Sequence, residues 1–168
     1  SKFDDVTNDW NATLLFREKE PEEEFTRVQL VRNARLTWES QKTGEALVDY
    51  VNHLCDTAMV DEARWVAMKA VKETPQDAKA YVALGMAHMV DLGGRNLYPG
   101  MNRQEAELAF LRAKELDPKD MLSYHYLSML AFHDLDSVER YTVGDAPKCL
   151  QIIKECEAAT GSMTLAMR

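Results

Sequence analysis

Apolar residues recur at intervals of three to four along most of this 168-residue chain, which is the spacing of one face of an α-helix. Leu47, Tyr50, Val51 and Leu54 form one such stripe. No alternating run of β-branched residues bounded by turns occurs, so no strands are predicted. Glycine and proline are few and fall between the periodic segments, where helices begin and end. The pattern predicts an all-α fold.

Residues 1–43 are predicted to form two helices. The first covers about Asp9–Lys19, and the second runs from Pro21 to about Gln41. Proline is favoured at the first helical position, and the three glutamates after Pro21 complement the positive end of the helix dipole. Because this pair lacks the signals that repeat further along the chain, it is expected to be a degenerate or capping pair.

Three helix pairs follow, and their apolar positions repeat. The predicted repeats cover residues 44–77, 78–119 and 120–160, and residues 161–168 form a tail. Asp120 and Asp145 are predicted N-caps, and Gly161 is a predicted left-handed C-cap. The second helices of the first two pairs share one spacing of apolar residues before a proline: Ala63, Ala67, Ala70 and Pro75, then Ala106, Phe110, Ala113 and Pro118.

The repeat at 78–119 has the clearest motif, with Tyr81, Leu84, Gly85 and His88 on one helical face ahead of the Ala-Phe-Ala-Pro series. It resembles the tetratricopeptide repeat (TPR), whose 34-residue helix–turn–helix has the signature W-x2-L-G-x2-Y, then A-x3-F and P. Tyr81 replaces the Trp and His88 the Tyr. The resemblance implies an α-solenoid of antiparallel helical hairpins, a TPR-like superhelix of about eight helices. It also places Gly85 where paired helices approach closely.

The central repeat contains an insertion, Leu92–Gly100, about nine residues longer than the pattern requires. Asn102 is predicted to cap the following helix, with Glu105 as its reciprocal partner. Inserted loops in repeat arrays often carry binding, whereas the alternative is a tolerated surface loop. The candidate residues of a binding loop are Arg95, Leu97 and Tyr98.

The resemblance also implies a concave surface lined by the first helix of each repeat. The positions there that are not used for packing are apolar and rich in Met, a side chain suited to adaptable binding surfaces. Exposed apolar patches usually mark interfaces, although neighbouring helices, the inserted loop or the tail would be alternative occupants of this surface. The candidate groove residues are Val48, Asn52, Lys79, Val82, Met86, Met89, Leu122, His125, Met129 and Phe132.

One binding mode known for TPR proteins is not expected. Some members grip the C-terminal carboxylate of heat-shock chaperones with Lys, Asn and Arg side chains from three repeats. Asn52 matches one of these positions, but the others have lost the required side chains. The replacements are Val48, Ala83, Leu122 and Tyr126.

Charge and motifs exclude several other functions. The net charge of −8 disfavours phosphate backbones and anionic membranes as partners, so no nucleic acid partner is expected. No run approaches the roughly 18 apolar residues that a membrane helix needs, so no direct membrane insertion is expected. No catalytic motif is present. His125 and His133 share a helix face but lie two turns apart, about 12 Å, which is too far for both rings to bind one metal ion without a third element. We therefore expect no enzyme activity, no metal site and no cofactor.

The expected function is a protein–protein interaction module, an adaptor or scaffold subunit that binds a helix or extended peptide of another protein. Two alternatives stay open: a permanently assembled structural subunit of a large complex, such as an organellar one, and a binder of apolar small ligands or lipids. Cys55, Cys149 and Cys156 are an odd number without CxxC spacing. They predict reduced thiols in an intracellular, reducing compartment, either cytoplasmic or an organellar interior such as the mitochondrial matrix.

Overall fold

The computed structural model describes residues 26–133 and 144–161, and this part of the chain is all-helical. These described residues form no strand, and Val90 and Asn96 form an isolated β-bridge. The all-α prediction is therefore confirmed here, while the predicted helix at residues 9–19 and residues 162–168 of the tail lie outside the described residues. The seven described helices are α1 (26–41), α2 (Gly44–Asp56), α3 (Val60–Glu73), α4 (Ala78–His88), α5 (Arg103–Leu116), α6 (Met121–Phe132) and α7 (Ala146–Thr160).

Consecutive helices pack as pairs, α2 with α3, α4 with α5 and α6 with α7. The side chains of Thr43, Asp77 and Asp145 accept hydrogen bonds from backbone N–H groups in the first turns of α2, α4 and α7. These bonds satisfy donors that a helix start otherwise leaves without partners. Helix α7 ends at Gly161, whose φ of 69° is left-handed, so the predicted C-cap is confirmed.

A tyrosine closes the turn between one pair and the next. Tyr81 Oη donates to the Pro75 carbonyl at 3.4 Å. Tyr124 Oη, 43 residues further on, donates to the Pro118 carbonyl at 3.1 Å. Since the same contact recurs at the same spacing, the hairpins are helical-repeat-like in structure as well as in sequence.

An arginine from each of two hairpins also contacts the next one. Arg64 of α3 donates from Nε and Nη2 to two carbonyls at the C-terminal end of α4, both at 3.1 Å. Arg103 of α5 donates to two carbonyls at the end of α6. A charged donor thus satisfies carbonyls that lack helical partners. Corresponding acceptors are 43 positions apart in the sequence: Ala87 corresponds to Leu130, and Val90 corresponds to His133.

Two hydrophobic clusters make up the core, and α4 contributes to both. The first cluster joins α4 to α2 and α3, and the second joins it to α5, α6 and α7. A helix that is apolar over so wide an arc is buried between neighbours on both sides. The α4 residues are Ala80, Ala83 and Ala87 in the first cluster, and Val82, Met86 and Met89 in the second.

The pairing of α4 with α5 depends on Gly85. A Cβ atom at this position would collide with the Phe110 ring, because the two helices approach most closely here. Phe110 is itself completely buried in the second cluster. The close approach predicted at Gly85 is therefore confirmed.

The inserted loop between α4 and α5 is closed at its base by backbone hydrogen bonds. Leu97 N donates to the Met89 carbonyl at 3.1 Å, and Asn102 N donates to the His88 carbonyl at 2.9 Å. Asn102 is the N-cap residue of α5 as predicted, but its side chain makes no capping hydrogen bond. Asn102 Nδ2 lies 3.3 Å from His88 Nδ1 instead, so the prediction of a reciprocal capping pair with Glu105 is wrong.

Candidate partner-binding groove

The first helices of the three hairpins, α2, α4 and α6, line a cavity of about 370 Å³, which we name the groove. One part of its lining is apolar and the other is polar. The apolar floor consists of Val48, Met86, Leu122 and Tyr126, and the polar wall of Glu45, Asp49, Asn52 and Lys79.

Helix α2 supplies most of the polar wall because its polar residues recur at helical spacing. Glu45, Asp49, Asn52 and Asp56 follow one another at intervals of four, three and four, so they share one helical face. Val48 lies beside this stripe and packs against both hydrophobic clusters. The boundary between the polar wall and the apolar floor thus runs along α2.

The N-terminal ends of α2, α4 and α6 meet at one end of the groove. A Cβ atom on Gly44 would collide with the Lys79 side chain, so glycine permits this close approach. Lys79 Nζ lies 2.7 Å from Asp120 Oδ1, and the Asp120 side chain is only 4% exposed. The predicted N-cap is confirmed in position, but Asp120 makes no side-chain capping bond and is used for this ion pair instead. Lys79 is therefore already occupied by a carboxylate of its own chain.

Tyr126 forms the α6 side of the floor. Its ring stacks on Phe110, with centroids 4.9 Å apart and an interplanar angle of 16°. Burial raises the pKa of the Tyr126 phenol, and the nearby Cys55 and Asp56 raise it further. A neutral aromatic side chain fixed by stacking gives the groove a rigid apolar surface.

The structure brings together five of the predicted groove residues, namely Val48, Asn52, Lys79, Met86 and Leu122. The prediction that Val82, Met86 and Met89 lie exposed is wrong, because all three are buried in the second cluster, at 0%, 6% and 3% exposure, although Met86 still lines the groove. The spacing rule assigned residues from two sides of α4 to the groove, because spacing alone does not show which side α5 and α6 cover. Three lining residues, Glu45, Asp49 and Tyr126, are absent from the list of candidate groove residues, although the α2 stripe at intervals of four and three includes Glu45 and Asp49.

Met129 and Phe132 line a second cavity, of about 380 Å³, between α6 and α7. The predicted strip is thus divided between two cavities. Phe132 and Leu150 are about half exposed at the mouth of the second one. The other residues that line it are Ser128, His133, Ala146, Cys149 and Ile153.

His125 belongs to neither cavity lining. Its ring contacts the Tyr126 edge with centroids 5.2 Å apart, and its Nδ1 is buried without a hydrogen-bond partner among the described residues. Burial lowers the pKa of His125, so the neutral ring is favoured at neutral pH. The structure thus gives His125 a packing contact beside the groove.

The candidate binding loop is folded around Asp91. This carboxylate accepts hydrogen bonds from the backbone N–H groups of Gly93 and Arg95, both at 2.9 Å, and pairs with the Arg95 guanidinium. Arg95 also lies 4.0 Å from the centroid of the Tyr98 ring. Leu97 is partly buried against the second cluster. Much of the polar and apolar surface predicted for binding is therefore used within the loop.

Cysteine and metal chemistry contribute little to the groove. Cys55, Cys149 and Cys156 are free thiols, and burial raises the pKa of Cys55 to about 12, so this thiol is not a nucleophile at neutral pH. Within residues 26–133 and 144–161, no group of three or more His, Cys, Asp or Glu side chains is arranged to hold a metal ion. None of the described helices has the length and apolar character needed to cross a membrane.

No protein-family model matches this sequence, and no curated protein matches it either. What the groove can bind must therefore be deduced from its own residues, shape and charge.

Proposed function

We propose that this chain is a protein–protein interaction module, an adaptor or scaffold subunit rather than an enzyme. In this proposal it forms a TPR-like solenoid whose groove binds a segment of a partner protein. The single observation that carries the proposal is the groove itself. Three successive hairpins each contribute their first helix to one cavity with an apolar floor and a polar wall.

The side chains of the groove suit the capture of a peptide segment. Met86 of α4 and Leu122 of α6 both line the floor, so an apolar partner side chain can pack against the two of them. Met is unbranched and adjusts to different shapes. Asn52 offers a carbonyl acceptor and the amide N–H that its bond to Asp56 leaves available, and both suit a partner backbone. A few anchors of this kind supply most of the energy of an interface.

The test begins with an affinity pull-down on the full chain, with mass spectrometry to identify the partner. The partner's affinity is then measured for Leu122→Glu. We expect a loss of at least about tenfold, because an interface anchor contributes about 2 kcal/mol and tenfold corresponds to about 1.4 kcal/mol. Leu36→Glu, on an exposed leucine of α1, is the matched control and should leave the affinity within about twofold.

Leu122 is partly buried, so a second variant keeps the test decisive if Leu122→Glu disturbs folding. Asn52→Trp places a large ring at the polar wall, and Asn52 makes only an exposed hydrogen bond to Asp56. Thermal unfolding followed by circular dichroism verifies that each variant is folded. A folded Asn52→Trp variant that binds the partner as tightly as the parent would refute the groove as the binding site.

A permanently assembled structural subunit is the second candidate, and a different surface favours it. Trp65 and Met68 of α3 are exposed, and so are Leu108 and Leu111 of α5, 43 residues further on. Exposed apolar side chains at equivalent positions are typical of an interface. A chain that is monomeric when isolated favours the adaptor. One that aggregates until it is expressed with a partner favours the permanent subunit.

A further inference from the structure

The charges around the groove point to the chemistry of its partner. Glu45 and Asp49 are exposed on the polar wall, and Asp56 continues their stripe along α2. Lys79 is the one cation among the residues lining this cavity, and its ammonium is bound to Asp120. The apolar floor is therefore bordered by carboxylates that have no matching cation in the groove lining.

Two further cavities of the described chain differ in the charges of their lining. A cavity of about 230 Å³ between α1, α2 and α3 carries charges of both signs. Its cations and anions are equal in number, and an exposed pair, Arg35 with Glu39 at 2.8 Å, lies within it. The cavity between α6 and α7 has no Lys, Arg, Asp or Glu in its lining. The cations of the first of these are Arg35, Lys42 and Lys69, and its anions are Glu39, Glu62 and Glu73.

We propose that the groove binds a cationic segment of a partner protein, in which a large apolar side chain is flanked by Lys or Arg. The apolar side chain packs on Met86 and Leu122, and the cations face Glu45 and Asp49. This inference deepens the proposed function and rests on it. Complementary charge at the border of an interface raises the association rate and excludes partners of the wrong sign.

The position of Asp56 extends the acidic border past the cavity. Asn52 Nδ2 donates to Asp56 Oδ2 at 3.3 Å, so the carboxylate is held on the same face as the groove. It also lies close enough to Tyr126 to affect the pKa of that phenol. A bound segment that follows α2 thus meets a carboxylate at both ends of the helix and one between them.

The test uses a displayed library of random 12-residue peptides, selected on the immobilised full chain. Affinities of the enriched peptides are then measured for the parent and for Glu45→Lys with Asp49→Lys. We expect enriched peptides to carry Lys or Arg beside an apolar residue, and the charge-reversed variant to bind them at least about tenfold more weakly, because like charges then face each other. Raising NaCl from 50 to 500 mM should weaken parental binding, since screening shortens the reach of exposed charges.

The chain offers a closely matched control in Asp61→Lys with Glu73→Lys on α3. Glu45 and Asp61 are both acidic residues in the first turn of their helices. Asp49 lies 3.6 Å from His53, and Glu73 lies 3.8 Å from Lys69, so each has one weak neighbour at a spacing of four. Both double variants change the net charge by +4. The control should bind the same peptides within about twofold of the parent.

The outcomes separate this inference from the proposed function. Peptides that lose binding to Asn52→Trp but show no enrichment of cations would overturn the cationic partner and keep the groove. Equal weakening by the two double variants would also overturn it, because the effect would then come from net charge. Peptides that bind Asn52→Trp as well as they bind the parent, or the absence of any enriched peptide, would overturn the groove together with the inference.

Discussion

The hairpins meet at two junctions, and the comparison between them explains where the groove lies. At the first junction α2 and α3 pack along α4, which presents the small side chains Ala80, Ala83 and Ala87. At the second junction α4 presents Val82 and Met86 toward α6, and their backbones have no comparable close approach. Small residues let helices come together, whereas long ones keep them apart. The groove is thus a consequence of side-chain size on the two sides of one helix.

The arginine contacts that close the two junctions are alike, although the side chains that fill the junctions differ in size. Arg64 satisfies carbonyls of α4 at the first junction, and Arg103 satisfies the equivalent carbonyls of α6 at the second. Since these contacts recur, they do not cause the difference in spacing. The spacing of the helices at a junction thus depends on the side chains that fill it rather than on the arginine contacts at its ends.

The largest effect is expected from the ion pair at the second junction. Lys79→Met should lower the free energy of unfolding by about 3 kcal/mol, because it leaves the Asp120 carboxylate buried without its cation. Chemical denaturation followed by circular dichroism measures this loss. Among the described residues this ion pair has no counterpart at the first junction, where glycine and alanine allow direct packing.

The matched control is the double variant Lys79→Met with Asp120→Asn. Asn is a good N-cap residue and carries no charge, so it should recover most of the stability lost in the single variant. If the double variant were no more stable than Lys79→Met, the loss would come from packing of the lysine stem rather than from the unpaired charge.

A smaller effect is expected from exchanging side-chain size within α4. Ala83→Leu should destabilise the fold by about 2 kcal/mol, because Ala83 is completely buried at the closely packed first junction. Met86→Leu, at the second junction, conserves volume and should cost less than about 1.5 kcal/mol. Thermal unfolding measures both. Equal losses in the two variants would contradict the difference in packing between the junctions.

The smallest effect is expected from the arginines. Arg64→Met and Arg103→Met each remove two hydrogen bonds to helix-terminal carbonyls while keeping an apolar stem. We expect each to cost about 1.5 kcal/mol in total, the lower end of the range for one hydrogen bond with a charged group, because water can replace the bonds at these part-buried helix ends. Denaturation midpoints of the two variants should agree, and a large discrepancy would show that the junctions also differ at their ends.

The helices and most of their ends could be predicted from the sequence because they depend on local chemistry. The N-caps at Asp120 and Asp145, the C-cap at Gly161 and the close approach at Gly85 are all present. The groove could be predicted only in part. Met86 and Met89 are three residues apart, identical in chemistry and both buried, at 6% and 3% exposure, yet only Met86 lines the groove. That difference depends on where α5 and α6 pack, which is not encoded in local spacing.

Two further features lay beyond local chemistry for the same reason. The pattern identified Asp120 as an N-cap, but its ion pair joins residues 41 positions apart in different hairpins. The inserted loop was recognised by its length, whereas the organisation around Asp91 depends on backbone N–H groups whose direction is set by the folded loop. Long-range partners and backbone direction thus mark the limit of single-sequence prediction here.

The position of α4 between the two hydrophobic clusters has a consequence for folding cooperativity. Residues on opposite sides of this one helix, such as Ala83 and Val82, are each completely buried in a different cluster. Loss of α4 would expose both clusters at once, so the unfolding of this helix is coupled to the hairpins on both of its sides. In a repeat protein with energetic coupling only between neighbours, the helix shared by two interfaces transmits that coupling. The backbone amides of α4 should consequently be among the slowest in the chain to exchange their hydrogens with solvent.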